Sequence, residues 1–552
     1  MGNLINIKGL VLDIEKAMKR TKLDIKDDWF QDPLKYDDIL NIENILNKIN
    51  NKLIKNALGE NIGYKAGIAL HIDIPKPGFT SRYTTEIDII DRVFCQALID
   101  FIAEDLDALH SNRIYSHRLN KERRDEKYFF RYPVEEWKKF INDTELELGA
   151  DNNVLLLTDL TNFYENIGVS DLKDVLEFYK PAGEKEMPYK DCIELIKSIH
   201  SKWCERSTER GIPQNRDTSS FLANIFLHPV DDAMQKSGYN YFRYMDDIRV
   251  VCKNKYEARK ALKILIQELR KKGLNVNSKK TQILDYDNVE DRKKIEDSFS
   301  HSDKKIEQIE AFLKSRNQRD IQIAVPMLRN KILNLIENDN TLEREFRYCV
   351  NRLERISRNE KLADKIDFNP ITERILNELI DQPWATDTFA RYLGSVKLDV
   401  SDKTIIKDLL LDKNKNIYEW QSFYLWLLLT RHHFHDPLLI NTARLNIEQK
   451  VCEPTTAVSC LYLGVNGDVN DKIFIAEHFL YFNDHLTQRF ALIAIKDLNY
   501  QSVIKPHVQD YIKEYYSGSY KNLSEKYKNQ FLHPIESLKE EDIYTELPDD
   551  IS

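Results

Sequence analysis

Glycine and proline are scarce, with 16 of each in 552 residues. Strand-rich folds turn often and use both residues to do so, which argues against an all-β chain and for long helices. The seven cysteines, Cys95, Cys192, Cys204, Cys252, Cys349, Cys452 and Cys460, are nowhere spaced as zinc ligands or as a redox pair. They are expected to be reduced thiols of an intracellular protein. No apolar run approaches the roughly 18 residues a membrane span needs, so no membrane partner is expected. The opening MGNLINIKGLVLDIEKAMKR lacks the apolar core and cleavage site of a secretory leader, and Asn6 stands where myristoylation needs Ser or Thr. The cytoplasm is the expected compartment. A basic excess is missing too. The formal net charge of -9 argues against a generic nucleic-acid coat, though not against an acidic site beside a local basic channel. Walker loops, nucleophile elbows and HExxH zinc motifs are absent.

What is present is a chain too long for one domain, 42% hydrophobic, with 31% charged residues of mixed sign. Residues 1–60 read as a charged helical extension, with Ile39, Leu40, Ile42, Ile45, Leu46 and Ile49 near helical spacing. Residues 61–290 alternate short apolar runs with helical patterns, an α+β region. Residues 291–552 read as all-α, and 284–320 as charged helix and connection. Thr372 is placed to cap a helix carrying Ile375, Leu376, Leu379 and Ile380 that Pro383 stops. Ile405, Ile406, Leu409 and Leu410 mark a second helix, and Leu486, Phe490, Ile493 and Ala494 a third. Helix starts recur roughly every 15–20 residues, a spacing that suits HEAT-like stacked pairs.

Two segments carry the chemistry. In VLLLTDLTNFYENI, 154–167, a short apolar strand ends at Asp159. Alone, Asp159 reads as a helix cap. In YFRYMDDIRVVC, 241–252, strand, tight turn and strand present Asp246 and Asp247. Alone, the pair reads as a solvated turn. Adjacent aspartates repel, so a hairpin flanked by apolar residues that displays two of them calls for a cation.

Tyr244-Met245-Asp246-Asp247 resembles the YxDD motif of reverse transcriptases, and Asp159-Leu160-Thr161-Asn162-Phe163-Tyr164 their first palm motif. Between them, GIPQNRDTSSFLANIFL at 211–227 is similar to GxPQGxxxSxxLxNxxL. After them, GLNVNSKKT at 273–281 is similar to GLxxNxxKT. Arg82, nine residues before Asp91-Arg92-Val93, and IYSHRL at 114–119 resemble fingers motifs. The resemblance spans about residues 60–285. It implies an α+β fingers-palm core followed by an all-α, HEAT-like repeat domain. The implied reaction is two-metal nucleotidyl transfer of dNTPs. Magnesium, with manganese as its substitute, would be held by Asp159, Asp246, Asp247 and the Leu160 carbonyl. Tyr164 would lie under the incoming sugar and exclude a 2′-hydroxyl. Arg82, assisted by Lys76, would clamp the triphosphate, and Gln214 would sit near the nascent pair. Lys280 would donate a proton to pyrophosphate or contact a phosphate. Lys253, Lys255, Arg259, Lys260, Lys263, Arg270, Lys271 and Lys272 form either a phosphate-tracking helix or a solvated helix face.

Departures from the pattern are informative. Asn215-Arg216 replaces a small flexible position, and no FLG-type primer grip follows Thr281. A reverse-transcriptase core ahead of long helical repeats resembles bacterial abortive-infection and related defence enzymes, some of which synthesise DNA without a template and prime on a protein hydroxyl. The expected partners are dNTPs, a DNA product, an RNA template if one is used, a second copy of the chain, and a protein docked on the helices. Tyr511, Tyr515, Tyr516, Tyr520 and Tyr527 offer hydroxyls for priming, or are ordinary aromatic residues. Two alternatives stand beside this reading: a retron-like enzyme copying a dedicated RNA, and a non-catalytic nucleic-acid sensor or scaffold. Arg431-His432-His433-Phe434-His435-Asp436 reads as a helix end, with metal binding the lesser reading.

Overall fold

The computed structural model describes residues 3–495 and 498, apart from 38, 122–126, 150, 205–207, 300–303 and 316. The chain falls into two compact units. One is drawn from residues 1–29, 40–71 and 83–301, the other from 30–39, 72–82 and 302–552.

The first unit is built on a four-stranded antiparallel sheet in the order Gln282–Asp285, Val154–Thr158, Asp247–Cys252, Asn240–Tyr244. One face carries Leu155, Phe242, Val251 and Leu284, one residue from each strand. They pack with Phe140 and Ile141 of helix Pro133–Glu147 and with Ile295 and Phe299 of helix Val289–Phe299. Each such buried side chain contributes about 1.5–3 kcal/mol relative to exposure. Val154, Leu156, Tyr241 and Val250, on the opposite face, are buried as well. A strand covered on both faces reads as a continuous apolar run, which is why VLLL was visible as a strand.

Residues 1–60 are not all helical. Leu4–Ile7 pairs with Leu10–Asp13 through a turn at Lys8 and Gly9, both at positive φ, ahead of helix Ile14–Asp24. Leu53–Lys55 pairs with Asn61–Tyr64. The alternation that buries Ile5, Ile7, Leu10 and Leu12 has a period of two, the strand signature. Helix Ile42–Lys52 agrees with the sequence reading, burying Ile45 and Ile49.

In the second unit, helix follows helix from Lys304 to Ala494. Helix Asn369–Asp381 begins three residues before Thr372. Pro370 opens it, while Thr372 is buried inside and donates to the Phe368 carbonyl at 3.0 Å. Helix Glu453–Asn466 packs on Glu419–Arg431, Pro437–Gln449 and His485–Ala494. Gly464 lets two of these approach, since a Cβ there would meet Ala494 Cα at 2.6 Å. Segment 30–39 is pinned in this unit by Arg489, which donates to both carboxylate oxygens of buried Asp32, and by Phe30 against Phe423.

Candidate active site

Sheet register brings the three aspartates together. Tyr244 pairs with Asp247, so Met245 and Asp246 form a two-residue turn, and Asp247 is the first residue of the returning strand. Thr158 pairs with Ile248, so Asp159, one step further on, comes opposite Asp247. Met245 holds φ +56, an uncommon conformation for a non-glycine residue. Arg243 supports it. This fully buried guanidinium donates to the Met245 carbonyl at 3.0 Å and grips Asp231 through two bonds of 2.6 and 2.7 Å. Sequence reasoning missed Arg243. Its one local signal was a cation inside an apolar strand.

Asp159 is fixed from the other side. Its carbonyl accepts from Asn277 N at 2.7 Å, and Thr161 N donates to Asn275 at 3.0 Å. The Leu160 carbonyl therefore faces away from segment 275–277 and is available as an oxygen ligand. Thr158 and Thr281 hydroxyls lie 2.7 Å apart, which places the KT pair against the strand end. Lys280 Nζ reaches Asp159 Oδ2 at 3.1 Å. Burial alone would push the Lys280 ammonium down, but Asp159, Asp247 and Asp246 together hold it above the ordinary lysine value.

Asp247 keeps an open face to solvent, yet protein packs closely around it and two carboxylates stand beside it. Desolvation first, then Asp246 and Asp159, push its carboxyl up to about 7, with Lys280 and Arg249 pulling the other way. Three carboxylates gathered at one sheet end offer hard oxygen donors of a kind that fits Mg²⁺ or Mn²⁺.

Tyr164 lies on the single turn Phe163–Asn166, and its carbonyl accepts from Ile212 N at 3.1 Å. Gln214 is buried in the loop that follows. Arg216 does not project from that loop. It is fully buried and ion-paired to Asp28 at 3.1 Å and Glu86 at 2.7 Å. Asp28 also meets Arg92 at 2.8 Å, and Asp24 accepts from Arg92 and from Asp217 N. The basic helix Lys255–Lys271 buries Ala258, Ala261, Leu265 and Leu269 and turns Lys255, Arg259, Lys260, Lys263, Arg270 and Lys271 outward.

Lys76 closes strand Leu70–Lys76, and Arg82 lies on its partner strand Thr80–Glu86. Both residues fall in the second unit, the aspartates in the first. In the second unit, His432 reaches the Leu393 carbonyl and His435 that of Asn466, each at 2.8 Å, so backbone bonds engage both. The five tail tyrosines lie outside the described residues. No helix among the described residues is long and apolar enough to cross a membrane.

Residues 74–318 match the family model described as reverse transcriptase (RNA-dependent DNA polymerase). The chain thus contains a reverse-transcriptase domain that includes all three aspartates. No curated protein matches the chain. Among solved structures it is similar to apo telomerase from Candida tropicalis, at 13% identity and a TM-score of 0.33, over 81% of this chain and 72% of that one. It is also similar to telomerase from Candida albicans in complex with a fragment of telomeric RNA, at 9% identity and a TM-score of 0.30, over 67% of this chain and 63% of that one.

Proposed function

We propose that the protein is a DNA polymerase of the reverse-transcriptase type that joins dNTPs by two-metal nucleotidyl transfer, working in antiviral defence. The observation that carries the chemistry is the convergence of Asp159, Asp246 and Asp247 on one sheet end, with Lys280 against Asp159. Asp159 and Asp246, supported by Asp247 and the Leu160 carbonyl, would hold a pair of Mg²⁺ ions. When bound, such ions activate the attacking hydroxyl and offset charge on the leaving pyrophosphate. Lys280 Nζ supplies a proton at the pyrophosphate oxygen. Tyr164 would lie under the sugar and Gln214 beside the new pair, and the resemblance assigns Arg82 and Lys76 to the triphosphate.

The defence setting rests on the layout of a palm ahead of a long helical region, for which stacked HEAT-like pairs, a docked protein and a self-associated chain are part of the same proposal. Synthesis without a template, primed on a protein hydroxyl, is the mode we favour. Asn215, at φ +57, puts a side chain where the resembled pattern has glycine. The decisive assay supplies labelled dNTPs and Mg²⁺ to protein stripped of nucleic acid, with and without RNA, beside Asp246→Ala/Asp247→Ala. Label incorporated by the wild type alone, without RNA, and retained on denatured protein is the expected result. Strict dependence on RNA would replace this mode with retron-like copying. No incorporation at all would leave the scaffold reading.

A further inference from the structure

The inference rests on the polymerase reading above and concerns how the sugar-facing ring is held. Tyr164 follows Asn162, which is left-handed at φ +46, and sits on one turn of helix, a unit with little stability of its own. Backbone bonds from Ile212 N to Tyr164 O and from Gly211 N to Ile167 O, 3.1 and 3.0 Å, fix the main chain. They leave the ring's own torsions unset.

At the far end of the ring, the Tyr164 and Ser220 hydroxyls are 3.0 Å apart. Tyr164 is half-buried, whereas Ser220 is buried. Ser220 lies in the first turn of helix Asp217–Phe226, and its N–H donates to the Arg216 carbonyl at 2.9 Å. Arg216 is anchored by Asp28 and Glu86. Ser220 is thus a hydroxyl on a rigid mount, bonded to a half-buried aromatic ring. The serine of the resembled segment corresponds to Ser219, whose buried hydroxyl has no hydrogen-bond partner. Ser220 is a residue beyond that pattern.

We propose that Ser220 is a positioning residue for sugar discrimination. By holding the Tyr164 hydroxyl it keeps the ring where a 2′-hydroxyl would collide, so deoxynucleoside triphosphates are accepted over ribonucleoside triphosphates. Excluding one hydroxyl by contact requires a ring that does not swing, because a small displacement opens the space the oxygen needs.

The test measures kcat/KM of the full-length protein for matched dNTP and NTP pairs, with thermal midpoints recorded for each variant. Ser220→Ala should lower the dNTP-to-NTP preference roughly three- to tenfold, the range one hydrogen bond commands. Tyr164→Phe should match it, and the double variant should fall no further than either, since both remove one interaction. Ser220→Thr should restore the preference, and Tyr164→Ala should lose more. A preference unchanged in Ser220→Ala and Tyr164→Phe but lost in Tyr164→Ala would overturn the proposal while leaving the polymerase reading intact. An equal loss of rate for both sugars with a lowered midpoint would make Ser220 merely structural and overturn it too. A wild type that incorporates nothing overturns the polymerase reading itself.

Discussion

Lys280 is ion-paired to Asp159, and Asp159, Asp247 and Asp246 hold its ammonium above the usual lysine value. It therefore stays protonated through neutral pH, as a proton donor to pyrophosphate must. Replacing it with methionine keeps the stem and removes the proton. The expected result is a drop in kcat of about 10²–10⁴, the usual range for a general acid, with KM changed much less. Arginine should rescue poorly, because it keeps the charge but does not release a proton. A large rise in KM with kcat unchanged would instead make Lys280 a binding contact. Removing the metal should silence the wild type entirely, and Mg²⁺ or Mn²⁺ added back should restore incorporation. Failure of both ions to do so would rule out the assigned carboxylate site. That the three aspartates belong together was legible because each stands in a motif of the resembled pattern, in its order and spacing; the adjacent pair alone reads as a solvated turn. Arg243 and Ser220 were not, because their partners Asp231 and Tyr164 are 12 and 56 residues away, separations that only the fold closes.

At the scale of elements, the loop 211–217 is tied to the N-terminal segment by buried charge. Arg216→Ala leaves Asp28 and Glu86 without that partner, and breaking a buried pair in this way costs about 3–5 kcal/mol. Urea denaturation should register the loss, and a change within 0.5 kcal/mol would show that the network is not held by this residue. Helix packing gives a second case, in which the sign runs against propensity. Alanine favours helix over glycine by about 1 kcal/mol, yet Gly464→Ala places its methyl 2.6 Å from Ala494 Cα, and overpacking of that kind costs about 1–3 kcal/mol. A lower thermal midpoint is expected, and a higher one would mean the two helices separate freely. The misread elements share one cause. Residues 4–13 alternate with period two over only a few positions, too short to outweigh the helical pattern from Ile39 to Ile49. Thr372 offered a cap, but Pro370 is equally at home in a first turn, and it is the second residue of the helix. Val154–Thr158 and the two strands flanking Asp246 escaped this ambiguity because each is a short, mostly apolar or aromatic run, whereas Gln282–Asp285, with two apolar residues, gave no such signal.

At the scale of the whole molecule, buried histidines contribute a loss of stability in acid, against buried carboxyls such as Asp28, whose raised pKa works the other way. His200 lies in helix Glu186–Trp203 with Nδ1 on the Ile196 carbonyl and Nε2 without a partner, and burial lowers its pKa to about 4. His110, with no hydrogen bond at either ring nitrogen and Nδ1 3.9 Å from Asp231, is driven down first by burial and then by Arg243 and Arg118. His432 in the second unit is lowered to about 4, again chiefly by burial. In the unfolded chain each returns to roughly 6.5. Between that value and the depressed folded values the unfolded state binds more protons, so stability is fully present above pH 6.5 and is lost as pH falls toward 4. A shift of this size corresponds to about 3 kcal/mol for a fully buried group such as His200. Between pH 7.5 and 5, the urea midpoint of the wild type should fall relative to that of His200→Leu, which has no proton to take up. An identical slope in the two proteins would mean that His200 titrates in the folded state as it does in the unfolded one, and that the acid sensitivity lies elsewhere.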